Sequence, residues 1–237
     1  MFVIGHRGAR ALEPENTLRA LRRGMECAPY VEVDVRVSRD RHLVVIHDDA
    51  VDRTTNGTGA VGSLTLAELR NLDAGAGEQI PTLAEALDLV SRRGGGLVVE
   101  IKEPGSTVAV CAMLARVRPE PLIVASFHPE VFQSIIELLG DVATGLIYSR
   151  ALEDPVQAAR AAHASAIFPK FTRVTPGLVE AAHDAGLSVV PWTLNSEVEF
   201  ARAVELGVDG FASDDPCRAR DFLATHMAPR LRGESFM

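Results

Sequence analysis

Cysteine, aromatic residues and long apolar runs are all scarce in this chain of 237 residues. The three cysteines, Cys27, Cys111 and Cys217, lie far apart with no Cys-x-x-Cys pair. That spacing argues against a zinc or disulfide framework and predicts three buried free thiols. No apolar run approaches the roughly 18 residues a membrane helix needs. The opening residues, Met1-Phe2-Val3-Ile4-Gly5-His6, show no basic stretch leading into a long apolar segment, so no signal peptide is expected. Basic residues are outnumbered, 24 Lys and Arg against 32 Asp and Glu, for a formal net charge of −8. This is not the footprint of a nucleic-acid binder. The expectation is a soluble, cytoplasmic protein. An anionic substrate would have to meet positive charge placed locally, because the overall field repels it.

What is present is ordinary globular material, 47% hydrophobic and 24% charged. Short runs rich in Val and Ile recur at Phe2–Gly5, Val31–Val37, Leu43–His47, Leu97–Lys102, Leu122–Phe127, Thr144–Tyr148, Ala166–Phe168, Leu187–Trp192 and Gly210–Ser213. Such runs suit strands buried on both faces. Between them, apolar residues recur at helical spacing, as in Leu83, Leu87 and Val90, in Leu178, Val179 and Ala182, and in Phe200, Val204 and Leu206. Thr82 with Glu85, and Pro129 and Pro155, mark helix starts; Gly186 and Gly207 mark ends. The link from Ser38 to His42 is too short for a parallel crossover. Leu43–His47 must therefore fold back on Val31–Val37 as a hairpin. Eight strands remain, and their alternation with helices predicts an α/β fold, a (β/α)8 TIM barrel in one domain over 1–237. A doubly wound open sheet is the rival architecture. The stretch at about 49–80 breaks the rhythm and is taken as a small insertion over one end of the barrel.

Active residues of such a barrel gather at the carboxyl ends of its strands. Those ends carry His6 and Arg7, then Glu32 and Asp34, His47, Glu100 and Lys102, and later Lys170 and Trp192. Glu32 and Asp34 share a strand face, as do Glu100 and Lys102. Three carboxylates are costly to bury unpaired, and oxygen ligands suit a hard divalent cation such as Mg²⁺ or Ca²⁺. Two histidines nearby can carry protons near neutral pH. The set points to metal-assisted phosphoryl chemistry.

Laid out in order, the motifs are His6-Arg7-Gly8, Pro14-Glu15-Asn16-Thr17, Glu32-Val33-Asp34-Val35, Val44-Val45-Ile46-His47-Asp48 and Arg53-Thr54-Thr55. Ile80-Pro81-Thr82-Leu83, Glu100-Ile101-Lys102, Ser126-Phe127 and Pro191-Trp192-Thr193-Leu194-Asn195 continue the series. From residue 4 to about residue 216 this series resembles the glycerophosphodiester phosphodiesterase family, within the phospholipase-C-like phosphodiesterases. The resemblance implies a (β/α)8 barrel with an insertion after the second histidine. It implies Glu32, Asp34 and Glu100 as metal ligands, His6 and His47 as the catalytic pair, and Arg7 and Lys102 as phosphate holders. Two departures stand out: the family's Asp-Gly hairpin turn is Asp40-Arg41, and its late Thr-Asp is Ser213-Asp214, to which no chemistry is assigned. The implied reaction is metal-dependent hydrolysis of a glycerophosphodiester to sn-glycerol 3-phosphate and an alcohol. His6 is taken as base and His47 as acid, an order the sequence does not itself impose. Water or the neighbouring glycerol hydroxyl could attack, and Mg²⁺, Ca²⁺ or Mn²⁺ would serve, whereas three carboxylates argue against zinc.

Other readings compete. The three acids could be held by salt bridges alone, but two bases leave negative charge over. Glu15 and Asn16 could contact ligand or cap a helix near Thr17. Trp192 could line a glycerol pocket, where we place it as a substrate-binding candidate, or pack the core. Lys170 fits a solvated rim. His42, His163, His183 and His226 fit turns and helix surfaces, and His128 a helix entry. Gly57–Gly62 spells G-x-G-x-x-G but lacks the strand and helix of a dinucleotide site. The rival functions are a lysophospholipase D or phosphodiester lyase of the same superfamily, and a catalytically silent barrel that binds a phosphorylated ligand. The expected partner is the small diester, with no nucleic acid and no membrane span.

Overall fold

The computed structural model of the protein describes residues 1–226. The segment 230–237, expected to be a frayed end, lies outside the described residues. Strands β1 (Phe2–Gly5), β2 (Tyr30–Val37), β3 (Leu43–Val45), β4 (Gly96–Ile101), β5 (Leu122–Ser126), β6 (Ala143–Tyr148), β7 (Ala166–Pro169), β8 (Ser188–Val189) and β9 (Gly210–Ser213) form one sheet. Its order is β8-β7-β6-β5-β4-β2-β1-β9. β3 lies off this path as the antiparallel partner of β2, with Val35 opposite Val45 and Val37 opposite Leu43. The hairpin is where the short Ser38–His42 link requires it.

The two ends of this order meet. Leu194 N–H donates to Ala212 O at 3.0 Å, Ala212 N–H to Pro191 O at 2.9 Å, and Asp209 N–H to Val189 O at 3.0 Å. These bonds join the last two strands, so the sheet closes nearly completely into a (β/α)8 TIM barrel and the open-sheet rival is excluded. The seventh parallel strand is shorter than its apolar run Leu187–Trp192 implies. Pro191 has no N–H to give a ladder, and Trp192 keeps only an isolated bridge to Lys170.

Helices α1 (Leu18–Met25), α2 (Leu66–Arg70), α3 (Leu83–Arg93), α4 (Thr107–Leu114), α5 (Val131–Leu139), α6 (Pro155–Ala161), α7 (Pro176–Asp184), α8 (Glu197–Leu206) and α9 (Pro216–His226) fill the connections. Thr82 and Glu85 form the expected capping box of α3, and Gly207 ends α8 in the left-handed region. The buried stripe of α8 is Phe200, Ala203 and Leu206, one position off Val204, as the helical repeat of 3.6 allows. Among the described residues no helix is long and apolar enough to cross a membrane.

Alternating strand residues separate two apolar layers. Outward residues such as Val31, Val33, Leu97 and Val99 pack under the helices. Inward residues Ile4, Val98, Ile123, Ala125, Ile147, Phe168, Val190 and Ala212 fill the barrel. Glycine makes room for its rings: a Cβ on Gly145 would lie 2.4 Å from the Phe168 ring, and one on Gly210 would lie 2.6 Å from Phe2. The insertion has its own small core, where Val51, Val61, Leu69, Ala74 and Ile80 pack on Val44 and Ile46. Gly57–Gly62 is loop running into a short 3₁₀ turn at Val61–Ser63, which is no dinucleotide fingerprint.

The cysteine expectation is corrected. Cys27 and Cys217 form a disulfide across 190 residues of sequence, and only Cys111 is a free, buried thiol. Spacing hides such a pair, because β1 and β9 become neighbours only when the barrel closes. Titration with a thiol reagent in denaturant should find one thiol per chain, and three after reduction. Cys27→Ser should lower the unfolding temperature, the bond being worth up to about 5 kcal/mol in the chain-entropy model for so long a loop. Three reactive thiols without reductant would refute the bond.

The hairpin departure has a visible consequence. Arg41 occupies the left-handed region at φ 69°, where the family's glycine would sit without steric penalty. Arg41→Gly should therefore stabilise the protein by roughly 0.5–1 kcal/mol, seen as a rise of about 1–4 °C in thermal unfolding. An unchanged or lower midpoint would count against strain at this turn.

Candidate active site

The first βα turn is built by close backbone packing. Gly8 adopts φ 85° and donates its N–H to Gly5 O at 3.1 Å and Glu32 O at 3.2 Å. A Cβ on Gly5 or Gly24 would lie 2.0 or 2.3 Å from Gly8 O, so β1, the turn and α1 meet without side chains between them. This turn carries Arg7 at φ 51°, a conformation costly for a non-glycine residue. The strained backbone aims the Arg7 N–H at Glu32 Oε2, 2.7 Å away.

Parallel register sets Asp34 opposite Glu100, on strands β2 and β4. Glu32, Asp34 and Glu100 are buried, and each offers an oxygen within 4.8 Å of the others. Lys102 Nζ lies 2.7 Å from Glu100 Oε1 and 3.3 Å from Asp34 Oδ1, while Arg7 Nε lies 3.5 Å from Asp34 Oδ2. Asn16 supports the same carboxylate, donating from Nδ2 to Asp34 Oδ2 at 2.8 Å and accepting the Asp34 N–H at 3.3 Å. Burial opposes ionisation of Asp34, yet Lys102 and Arg7 hold its pKa down at about 2. Burial and the neighbouring Asp34 charge push Glu100 up to about 7. Burial raises Glu32 well above the ordinary range, reinforced by Asp34 and Glu100.

The donor set is hard oxygen, and Glu32 Oε1 is buried without any hydrogen-bond partner. Two bases cannot neutralise three acids. A cation among these carboxylates would satisfy both the orphaned oxygen and the excess charge, so the residues fit a divalent metal ion of the Mg²⁺ or Ca²⁺ kind.

The two histidines are held alike. His6 Nδ1 is 2.6 Å from Asp214 Oδ1, and His47 Nδ1 is 2.7 Å from Asp48 Oδ1. An ionised carboxylate only accepts, so each Nδ1 carries the proton and each Nε2 is left free. Asp214 is itself fixed by Asn195, which donates from Nδ2 at 2.9 Å and accepts the Asp214 N–H at 2.9 Å. Arg36 holds the His47 backbone, its Nε donating to His47 O at 2.8 Å. Burial lowers the pKa of both imidazoles below 6.5, against the pull of their carboxylates.

One cavity of about 80 Å³ gathers His6, Arg7, Glu32, His47, Glu100 and Trp192. Asp34 and Lys102 flank it through their contacts with Glu100 and Arg7. The structure thus brings together the eight residues that the sequence reading assigned to metal, proton transfer and substrate, and leaves Lys170 outside. Opposite the charged residues the wall is apolar, made by Ala125, Phe127, Ile147 and Phe168. Trp192 both lines the cavity and packs on the barrel core, with its Nε1–H donated to Phe168 O at 2.8 Å. Lys170 is exposed, and His128 pairs with Glu130.

Sequence reasoning gave no role to Asp214, Asp48 or Arg36, and weighed Asn16 only as a ligand contact or a helix cap. Asp48 follows His47 directly and could have been found in the motif. Asp214 is 208 residues from His6, and only the meeting of β1 and β9 reveals it. Glu15 and Asn16 do not cap α1; Thr17 does, accepting from Ala20 N–H.

Residues 6–218 match the glycerophosphoryl diester phosphodiesterase family. A glycerophosphodiester phosphodiesterase of Caldanaerobacter subterraneus is 36% identical over 91% of this chain and 94% of its own. A solved phosphodiesterase of Oleispira antarctica, in complex with the product sn-glycerol-3-phosphate, superposes with a TM-score of 0.89 at 31% identity, covering 94% of this chain and 96% of that one. A putatively assigned relative from Silicibacter pomeroyi gives 0.88 at 29% identity, over 95% and 94%. With its barrel, its ordered motifs and this match across most of its length, the chain belongs to the glycerophosphoryl diester phosphodiesterase family and is an enzyme of that kind.

Proposed function

We propose that the protein hydrolyses glycerophosphodiesters to sn-glycerol 3-phosphate and an alcohol, with a divalent cation and a histidine pair. The observation that carries this reading is the pair of carboxylate-anchored imidazoles sharing one cavity with Arg7 and the acidic cluster. The activity of the Caldanaerobacter relative and the product bound by the Oleispira enzyme support the substrate class. One domain with an insertion at about 49–80 and a cytoplasmic setting complete the proposal.

Glu32, Asp34 and Glu100 would hold the cation. When bound, the cation supplies positive charge against the phosphate oxygens as attack adds negative charge to them. Arg7 offers a planar fork to two oxygens, whereas Lys102 offers a point charge from the neighbouring strand. Whichever oxygen attacks, water or the adjacent glycerol hydroxyl, it must lose a proton. The more buried His6, 13% exposed, suits the base, since burial keeps its Nε2 unprotonated. His47, 32% exposed, is the more open of the two and suits the acid that gives the departing alcohol its proton. Trp192 and Phe127 form the apolar wall against which the glycerol carbons rest. Among the described residues, Phe127 is the only exposed large hydrophobic lining the cavity, which leaves a lipid-acting reading without an apolar rim.

Release of glycerol 3-phosphate from glycerophosphocholine should require added divalent metal and stop with EDTA. His6→Ala should lower kcat by about 10²–10⁴-fold. Glu100→Gln should abolish both activity and the heat of metal binding in calorimetry. Activity indifferent to EDTA would sink the metal assignment. The pH profile provides a separate check. Because the His6 pKa lies below 6.5, the base is already neutral at that pH, and the acid limb of kcat/KM should have its midpoint below 6.5. A limb centred above 6.5 would contradict His6 as base.

A further inference from the structure

Arg53, on the insertion, sits between two carboxylates that each end on a group of the site. Its Nη1 and Nη2 donate to Glu15 Oε2 and Oε1 at 3.0 and 2.7 Å, a two-pronged contact. Its Nε donates to Asp48 Oδ2 at 2.5 Å. Glu15 Oε1 also accepts from Arg7 Nη1 at 2.7 Å, and Asp48 Oδ1 accepts from His47 Nδ1 at 2.7 Å. An unbroken ionic chain therefore runs Arg7–Glu15–Arg53–Asp48–His47. We propose that Arg53 is a positioning residue that sets the Arg7 guanidinium and the His47 imidazole together, making the insertion a structural part of the catalytic site.

An exposed ion pair is ordinarily worth little. This one differs in geometry: all three guanidinium nitrogens are engaged, and the planar fork fixes the separation of Glu15 and Asp48 as a flexible ammonium cannot. The strut also stands on firm ground. Val51 is fully buried in the insertion core, and Thr55 closes a turn on it through both its N–H, at 3.1 Å, and its hydroxyl, at 2.8 Å. The two ends should be separable in kinetics. Glu15 acts on Arg7 and hence on phosphate binding; Asp48 acts on His47 and hence on proton transfer.

The charge logic gives a signature that loss of folding cannot imitate. His47 is faced by Asp34, Lys102 and Arg7 from the barrel mouth, by Asp48 beside it, and by Arg36 at its carbonyl. Arg53 offsets part of the Asp48 charge. Removing Arg53 leaves that charge bare and should raise the pH at which His47 titrates; removing the charge itself should lower it.

The test follows the His47 imidazole by NMR in the intact protein, with His47→Gln to assign the signal. Arg53→Gln should move the titration midpoint up and Asp48→Asn should move it down. The same midpoint in wild type and Arg53→Gln would overturn the proposal, and this measurement needs no substrate. It therefore stands apart from the proposed hydrolysis, whose own failure would show as wild-type protein releasing no glycerol 3-phosphate. In the active enzyme, Arg53→Gln should lower kcat by on the order of 10–100-fold and raise KM. Glu15→Gln should act mainly on KM and Asp48→Asn mainly on kcat, with Arg53→Lys recovering part of the loss. Thermal unfolding of Arg53→Gln should match wild type. A loss of rate explained by a smaller folded fraction would overturn the positioning role.

Discussion

Three carboxylates sharing a buried space repel one another, and much of the surrounding structure answers that repulsion. At separations under 4.8 Å each pair of unit charges costs about 3–4 kcal/mol at an effective dielectric of 20. Arg7 and Lys102 supply two countercharges, Asn16 a hydrogen bond, and the strained turn at Arg7 a backbone N–H. The balance still leaves one excess negative charge and one unpartnered oxygen, Glu32 Oε1. That remainder is the physical case for a cation. A divalent cation held there would turn that local excess from negative to positive, which is what an acidic protein needs to meet an anion.

Closure of the barrel is the second requirement, because the site draws on both ends of the chain. His6 leaves β1 and Asp214 follows β9, and the two strands pair from Phe2 with Gly210 to Gly5 with Ser213. The disulfide between Cys27 and Cys217 ties α9 to the turn after α1 on the same seam. A carboxylate on Nδ1 gives each histidine a defined tautomer before any substrate arrives. In the proposed mechanism, preorganisation of this kind means the ring would not need to reorient during the reaction.

The insertion adds a third layer of support. Its small core lies against the hairpin that carries His47, and the Arg53 guanidinium extends from it to Glu15 and Asp48. A loop with so little core of its own gains rigidity from the barrel beneath it, and the barrel mouth gains an anchored wall.

Closure into a barrel over an open sheet was decided by the bonds between β8 and β9, whereas the residue order alone determined the alternation of strand and helix, the hairpin and which residues stand at the strand ends. Local patterns are sufficient there: buried parallel strands demand Val and Ile runs, a five-residue link forbids a crossover, and period-two spacing puts Glu32 with Asp34 and Glu100 with Lys102 on shared faces. The ordered motifs, not periodicity, suggested the roles proposed for His6 and His47. The tertiary structure alone decided what depends on residues distant in sequence: the Asp214 partner of His6, the Cys27–Cys217 bond, and the ionic chain through Arg53. Each of these needs two segments to be placed within about 3 Å by the closing of the barrel or the folding of the insertion. Spacing along the chain holds no trace of such contacts, because hydrogen bonds, ion pairs and disulfides act over distance in space and not over separation in sequence.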